Sequence, residues 1–190
     1  MGELSFSAFQ DLGGEALFLV EGVNDVKTLH EFLRLFEIER QVIVFPIGGN
    51  QFISGDRTQE LSEIQRLCKR VFVLIDSERE AEGAKPEAKR RDFKKACEDL
   101  GFTVCLTEKR AIENYLTDSA VKKAFGEKYR ALTPYEKLES AEPAWRKAES
   151  WKIARLMTKD EIEKTDVGQI LAALCTKPPE ENSLGSPHAI

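Results

Sequence analysis

The chain has 190 residues, 42% of them hydrophobic and 32% charged, which is an ordinary composition for a soluble globular protein with one main domain. Its net charge of −5 counts against a simple electrostatic nucleic-acid binder, and no apolar run approaches the roughly 20 residues that a membrane span requires. The N-terminal residues lack a secretion signal and the four cysteines show no C-x-x-C spacing, so we expect a cytoplasmic protein without a zinc site.

Apolar, β-rich runs alternate with helix-period segments through the first hundred residues. The runs predict strands over Ala16–Val20, Val42–Phe45, Val71–Ile75 and Phe102–Leu106. Apolar residues at helical spacing between the runs predict amphipathic helices around Leu29, Leu61 and Phe93. Strands that are apolar on both faces and alternate with helices are typical of a parallel sheet covered on both sides. The predicted class is therefore α/β, a Rossmann-like parallel sheet flanked by helices.

The pattern changes after Thr107. A short apolar-aromatic segment is followed by a predicted helix over Asp118–Phe125, a turn-rich stretch, and two further helical candidates over Ala144–Met157 and Thr165–Leu174. The tail is rich in proline, glycine and serine, which is typical of disorder. We therefore expect an α/β domain over 14–117, an additional helical subdomain over 118–176, and a disordered tail over 177–190.

Acidic side chains follow two of the predicted strands. The first strand runs into Glu21 and Asp25, and the third runs into Asp76 and Glu78. Ligands of parallel α/β sheets bind at the carboxyl ends of the strands, so the four carboxylates converge if these two strands are neighbours. Asp76 and Glu78 are two positions apart and point the same way in an extended backbone.

Four clustered carboxylates favour a divalent-metal site at this edge of the sheet. Without a cation they repel one another and raise one another's pKa values, whereas a hard ion such as Mg²⁺ prefers oxygen ligands. Either pair alone is explained as well by helix capping or by solvated loop residues. Both pairs at equivalent strand ends favour the metal.

These segments resemble the motifs of TOPRIM domains. Phe18–Leu29, with a glutamate that ends a strand before a glycine turn, resembles the first motif, and Val71–Glu78 resembles the second, normally Asp-x-Asp, with Glu78 as its last acid. Pro46–Asn50, Lys109–Leu116 and the helical C-terminal segment extend the resemblance to the catalytic region of the OLD (overcoming lysogenization defect) family nucleases.

The resemblance implies a metal-dependent endonuclease that cleaves or nicks DNA by a two-metal mechanism. It implies two Mg²⁺ or Mn²⁺ ions, with Ca²⁺ as a non-catalytic substitute. The acids it implies as catalytic residues and ligands are Glu21, Asp25, Asp76 and Glu78. Glu113 is a candidate ligand for the second ion, and a surface acid explains it equally well.

Basic residues supply candidates for contacts with the phosphate backbone. Lys109, Lys147 and Lys152 are candidates for stabilising charge at the scissile phosphate, and we favour Lys152 as the catalytic lysine, although a solvated surface lysine explains any one of them. The basic stretch Lys85–Lys95 is predicted to form a helix with its cations outward. The residues predicted to bind nucleic acid are Lys89, Arg90, Lys94, Lys109 and Lys147.

Glycines follow the first two predicted strands. Gly22 makes the turn between Glu21 and Asp25, and Gly48 and Gly49 would let backbone amides approach a phosphate or a metal-bound water. A plain turn explains Gly48 and Gly49 equally well.

The resemblance also implies an N-terminal ABC-type ATPase domain as a partner. The chain holds no Walker A pattern, so we expect a catalytic region separated from its ATPase, or a stand-alone TOPRIM protein. A homodimer is left open, and we expect no membrane association. The alternatives are a TOPRIM topoisomerase or primase, a non-catalytic nucleic-acid-binding module, and a phosphatase or receiver-like domain with Asp76 phosphorylated.

Overall fold

The computed structural model describes residues 15–53 and 57–176, and the predicted disordered tail over 177–190 lies outside them. The strands are β1 (Ala16–Val20), β2 (Val42–Pro46), β3 (Val71–Ile75) and β4 (Thr103–Leu106). The α-helices are α1 (Val23–Leu35), α2 (Asn50–Ile53), α3 (Thr58–Leu67), α4 (Ala88–Asp99), α5 (Asp118–Phe125), α6 (Ser150–Ala154) and α7 (Asp166–Cys175). Short 3₁₀ turns cover Ile112–Tyr115, Leu138–Ser140, Lys147–Glu149 and Lys159–Glu161.

The four strands form one parallel sheet in the order β2-β1-β3-β4. Val20 at the end of β1 pairs with Pro46 of β2 and with Leu74 of β3, so the carboxyl ends of these strands lie at the same edge. The predicted α/β class, a parallel sheet flanked by helices, is confirmed. β1 and β3 are neighbours in this sheet, as the predicted convergence of their acids requires.

The sheet is covered on both faces because its strands are apolar on both sides. Phe18 of β1 and Phe72 of β3 stack with ring centroids 6.1 Å apart and belong to the hydrophobic cluster that includes α1. Leu19 and Val73 alternate with them and join a second cluster with α3 and α4. Burial of these side chains, at roughly 25 cal/mol per Å² of apolar surface, fixes the strand register.

The helical segment over 118–176 shares the core of the sheet. Val121, Ile153 and Leu171 are fully buried in the cluster that contains Phe18 and Phe32. The predicted helix over 118–125 agrees with α5, and the last predicted helix agrees with α7 to within one residue at each end. None of the helices in the described ranges is long and apolar enough to cross a membrane.

The helix predicted over Ala144–Met157 is shorter in the structure. Arg146 has an extended backbone with ψ of 132°, and the helical part begins with the 3₁₀ turn at Lys147 and continues into α6. Trp145 is buried and its indole Nε1–H donates to Ser150 Oγ over 3.2 Å. Burial of this indole overrides the local helix propensity at the start of the predicted segment.

Candidate functional site

Three buried carboxylates meet at the carboxyl edge of the sheet. Asp25 lies in the first turn of α1, Asp76 directly follows β3, and Glu113 lies in the 3₁₀ turn that follows β4. Their exposed fractions are 5%, 5% and 4%. Carboxylates are rarely this buried unless a cation accompanies them.

The Lys147 ammonium lies between these three carboxylates. Its Nζ is 3.1 Å from Asp25 Oδ1, 3.2 Å from Glu113 Oε1 and 3.8 Å from Asp76 Oδ2. We call Asp25, Asp76, Glu113 and Lys147 the acid cluster. The ammonium marks the point at which a cation is stabilised by all three acids.

Backbone amides hold one oxygen of each aspartate. Asp25 Oδ2 accepts from the N–H of Gly22 over 2.9 Å, and Asp76 Oδ1 accepts from the N–H of Ile112 over 2.9 Å. A Cβ at Gly22 would lie 3.2 Å from Asp25 Oδ2, which explains the glycine at this turn. Asp25 Oδ1 and Glu113 Oε1 are buried, and the group that each meets among the described residues is the Lys147 ammonium, at 3.1 and 3.2 Å.

The electrostatics of the acid cluster follow from burial. Burial raises the pKa of Asp76 well above its usual range, and the charges of Glu113 and Asp25 raise it further against the effect of Lys147. Burial also raises the pKa of Glu113. Burial alone would lower the pKa of Lys147, but the three surrounding carboxylates outweigh it and raise that pKa, so the ammonium stays charged.

Glu21 lies beside the acid cluster but is bound by an arginine. Arg90 of α4 donates from Nη1 to Glu21 Oε2 over 2.7 Å and from Nη2 to Oε1 over 3.2 Å, and Nη1 also donates to the Asp76 carbonyl over 2.6 Å. The Arg90 side chain is 1% exposed. A bidentate pair of this kind fixes the Glu21 carboxylate and joins the ends of β1 and β3 to α4.

Glu78 is bound by an arginine as well, Arg110. Its carboxylate pairs with Arg110 Nη2, and its backbone N–H donates to the Arg110 carbonyl over 2.9 Å. Glu78 has a φ of +54°, in the left-handed region, which directs its side chain differently from the extended backbone assumed in the sequence prediction. The extended backbone on which the expectation for Asp76 and Glu78 depends is therefore absent at Glu78.

Charge counting leaves the region acidic. Five carboxylates (Glu21, Asp25, Asp76, Glu78 and Glu113) face three cationic side chains (Arg90, Arg110 and Lys147). Two negative charges are uncompensated when every group is ionised, which is the charge of one divalent cation. As the side chains stand, no group of three or more His, Cys, Asp or Glu in the described ranges is arranged to hold a metal ion.

The 3₁₀ turn that carries Glu113 is fixed by its own polar residues. Asn114 accepts from the Ala111 N–H over 3.1 Å and donates to the Thr133 and Glu136 carbonyls over 2.7 and 2.9 Å. The Tyr115 hydroxyl donates to Asp166 Oδ1 of α7 over 2.7 Å. These partners position Glu113. Ala111, Asn114 and Tyr115 belong to the segment Lys109–Leu116 that the sequence singled out, whereas Thr133 and Glu136 do not.

The other predicted lysines lie outside the acid cluster. Lys152 pairs with Glu149 over 2.7 Å on an exposed face, whereas Lys147 is the lysine that the structure brings to the acids. Lys109 donates to the Asn114 carbonyl over 2.9 Å and lies over the Tyr115 ring, and burial lowers its pKa.

The cations of α4 divide between the surface and the interior. Lys89 pairs with Glu87 and Lys94 pairs with Glu98 at the surface, in keeping with the outward face expected for them. The sequence prediction placed Arg90 on the outward face, and this was wrong because its side chain is buried. It lies on the same helical stripe as Phe93 and Cys97, and this spacing was the signal that could have located it inside.

Gly48 and Gly49 form the turn after β2 beside the acid cluster. Both have positive φ, at 95° and 73°, which favours glycine. The Gly49 N–H donates to the Glu21 carbonyl over 2.7 Å, so this amide fixes the strand end and is not free for a phosphate.

Comparisons of this chain with protein-family models, with curated proteins and with solved structures gave no significant match.

Proposed function

We propose that this protein is a Mg²⁺- or Mn²⁺-dependent endonuclease that cleaves or nicks DNA phosphodiester bonds at the acid cluster. The observation that carries the proposal is the convergence of Asp25, Asp76 and Glu113 on one cation position at the carboxyl edge of β1 and β3. This is the edge at which open parallel sheets bind their ligands. The TOPRIM and OLD resemblance of the same segments points to the same chemistry.

The donor set suits a hard divalent cation. Two of its carboxylate oxygens, on Asp25 and Glu113, are buried and lie 3.1 and 3.2 Å from the Lys147 ammonium, the position that such a cation would take. The five acids of the region exceed its three cations by two charges. Such an ion, when bound, polarises a phosphodiester and lowers the pKa of a water nucleophile. The three carboxylates are the ligands we assign to one ion.

A second ion requires further carboxylates. Glu21 and Glu78 are the acids that the resemblance adds, and each is held by an arginine, Arg90 and Arg110 respectively. Two-metal cleavage therefore requires Glu21 or Glu78 to leave its arginine and bind the second ion. The arginine then needs another anion as its partner. A substrate phosphate is an anion that an arginine binds equally well.

The remaining side chains of the site orient the substrate and stabilise charge. Lys147 reaches the three ligands from a side chain that is 40% exposed, so it can turn outward to a phosphate that enters from solvent. There its ammonium would stabilise the negative charge that develops on the phosphoryl oxygens. Lys147 thus takes the role that the sequence assigned with slight preference to Lys152.

A plasmid-nicking assay tests the proposal. Supercoiled plasmid is incubated with the protein and Mg²⁺ or Mn²⁺, using wild type, Asp76→Asn, Glu113→Gln and the surface control Asp99→Asn, whose carboxylate pairs with Lys95 on an exposed helix face. We expect nicked or linear plasmid with wild type and the control, and neither product with the two site variants. Uncut plasmid with wild type under both metals, or full cleavage by Asp76→Asn, contradicts the proposal.

A non-catalytic nucleic-acid-binding module is the second candidate. The Glu21–Arg90 and Glu78–Arg110 pairs, together with the central Lys147, favour it because they stabilise most of the acids without any metal. In the plasmid assay this candidate predicts no cleavage product with either metal. In a gel-shift measurement with the same plasmid it predicts DNA binding that is unaffected by metal. Religated topoisomers would instead favour a topoisomerase.

A further inference from the structure

A cavity with an excess of cationic side chains lies beside the acid cluster. It has a volume of about 580 Å³ and is formed mainly by the segment between β3 and α4. The cations that line it are Arg79, Lys85, Lys89, Arg90, Arg110 and Lys137. We call it the basic cavity. Its volume is within the roughly 300–1,000 Å³ of typical ligand sites and is sufficient for a nucleotide unit.

Carboxylates at the cavity account for only part of this positive charge. Glu78, Glu80 and Glu87 also line it, half as many as the cations. Each pairs with a lining cation: Glu78 with Arg110, Glu87 with Lys89 over 2.8 Å, and Glu80 with Lys137 over 3.7 Å. The fourth paired cation, Arg90, is bound to Glu21 behind the cavity wall.

Arg79 and Lys85 are the cations of the cavity that lack an acidic partner within residues 15–53 and 57–176. The Nε–H of Arg79 is buried and donates to no acceptor in those ranges. A buried guanidinium N–H without an acceptor is unfavourable, and an anion with several oxygens would satisfy it. Lys85 is exposed at the mouth and adds a second charge for the same anion.

The basic cavity adjoins the acid cluster. A smaller neighbouring cavity of about 250 Å³ is lined by Glu113 and Lys147, and it shares Glu78, Arg110 and Lys137 with the basic cavity. Arg90 also links the two sites, because it lines the basic cavity and donates to the Asp76 carbonyl over 2.6 Å. An anionic ligand that spans both cavities would place one phosphate at each.

We propose that the basic cavity binds a non-reacting phosphate of a DNA strand whose neighbouring phosphodiester lies at the acid cluster. Arg79 and Lys85 are the residues that contact this phosphate. The proposal rests on the proposed function for the identity of the strand. The acid cluster alone would repel a polyanion, and a cationic site adjacent to it holds the strand against that repulsion.

The test measures DNA binding without cleavage. A fluorescein-labelled 20-base-pair duplex is titrated in EDTA by fluorescence anisotropy at several salt concentrations. The variant Arg79→Ala/Lys85→Ala is compared with Arg40→Ala/Lys69→Ala, which removes one arginine and one lysine from exposed positions before β2 and β3, at the opposite edge of the sheet. The control therefore changes the net charge equally.

We expect the cavity variant to bind at least tenfold more weakly. The slope of log K against log salt should become shallower by about 0.9, since the two residues contact one phosphate and each neutralised phosphate contributes roughly 0.9. The single variant Lys85→Ala, at an exposed side chain without an ion-pair partner in the described ranges, keeps the fold and should give about half of the change in slope. The control should match wild type. Equal weakening in the cavity variant and the control overturns the proposal, as does no change in either.

A competition arm separates a strand from a free phosphate compound. Pyrophosphate is titrated against the wild-type complex with the duplex. Displacement only at concentrations far above the duplex Kd supports the strand, whereas pyrophosphate that binds more tightly than the duplex overturns it. Because EDTA removes divalent ions throughout, failure of the nuclease proposal in the plasmid assay leaves this measurement interpretable by itself.

Discussion

The position of Lys147 between three buried carboxylates leads to a prediction about stability. Lys147→Met keeps the length of the side chain and removes its charge, which leaves Asp25, Asp76 and Glu113 without their shared cation. Removing one partner of a buried ion pair costs about 3–5 kcal/mol. Because the Lys147 side chain is 40% exposed, solvent screens part of this interaction, and we expect a loss of about 2–3 kcal/mol.

Urea unfolding and thermal melts in EDTA at pH 8 measure this loss. It corresponds to a decrease in Tm of about 4–12 °C, at roughly 2–4 °C per kcal/mol for a protein of this size. Lys152→Met is the matched control, because Lys152 pairs with Glu149 on the surface and its loss should change the free energy of unfolding by less than about 0.5 kcal/mol.

The stability lost in Lys147→Met should depend on pH. The folded-state pKa values of Asp76 and Glu113 are raised, chiefly by burial, so each carboxylate destabilises the fold when it is ionised above that pKa and ceases to do so as the pH falls below it. We therefore expect the difference between wild type and Lys147→Met to be smaller at pH 5 than at pH 8. Mg²⁺ at a hundredfold excess over its Kd should restore up to about 2.7 kcal/mol in the variant.

Two results would refute this reasoning. If Lys147→Met unfolds at the same urea concentration as wild type in EDTA at pH 8, the ammonium does not stabilise the buried acids. If Lys152→Met loses as much stability as Lys147→Met, the effect comes from helix α6 and not from the acid cluster.

Three further predictions concern the fold around the site. Arg90→Met should lower the free energy of unfolding by about 3 kcal/mol in urea titrations, since it leaves the largely buried Glu21 unpaired, and unchanged stability would contradict the pairing. Gly168→Ala should cost more than about 2 kcal/mol in the same measurement, because a Cβ there would lie 2.0 Å from the Ile162 carbonyl oxygen; a neutral effect would contradict this contact. In native protein, a thiol reagent should react rapidly with Cys175 and label the other, buried cysteines only after denaturation; rapid labelling of more than one thiol would contradict this burial.

Hydrophobic pattern was sufficient to predict the sheet. The strands β1 and β3 agree residue for residue with the apolar runs, since a strand buried on both faces has few polar positions that could shift its limits. The positions of Glu21, Asp25 and Asp76 followed from these limits, because each acid lies next to a strand end or the turn after it. Local periodicity therefore located Asp25 and Asp76, two of the four members of the acid cluster.

The rest of the site depends on contacts that are distant in sequence. The Glu21–Arg90 and Glu78–Arg110 pairs join residues of separate elements, and no periodic pattern records which arginine meets which acid. Lys147 lies in the 3₁₀ turn before α6 and reaches the acids, whereas Lys152 lies in α6 and pairs with Glu149, and local periodicity does not distinguish the two. Tertiary packing determined each of these outcomes.

The hydrogen bond from Tyr115 to Asp166 links the acid cluster to a part of the chain that is synthesised late. It fixes the turn that carries Glu113 to the first residue of α7, the last described helix. During synthesis, Asp25 and Asp76 leave the ribosome long before Lys147 and Asp166 do. Asp25 and Asp76 are therefore synthesised before their counter-ion and the third acid, and the hydrogen bond that fixes the Glu113 turn can form only after the first residue of α7 has been made.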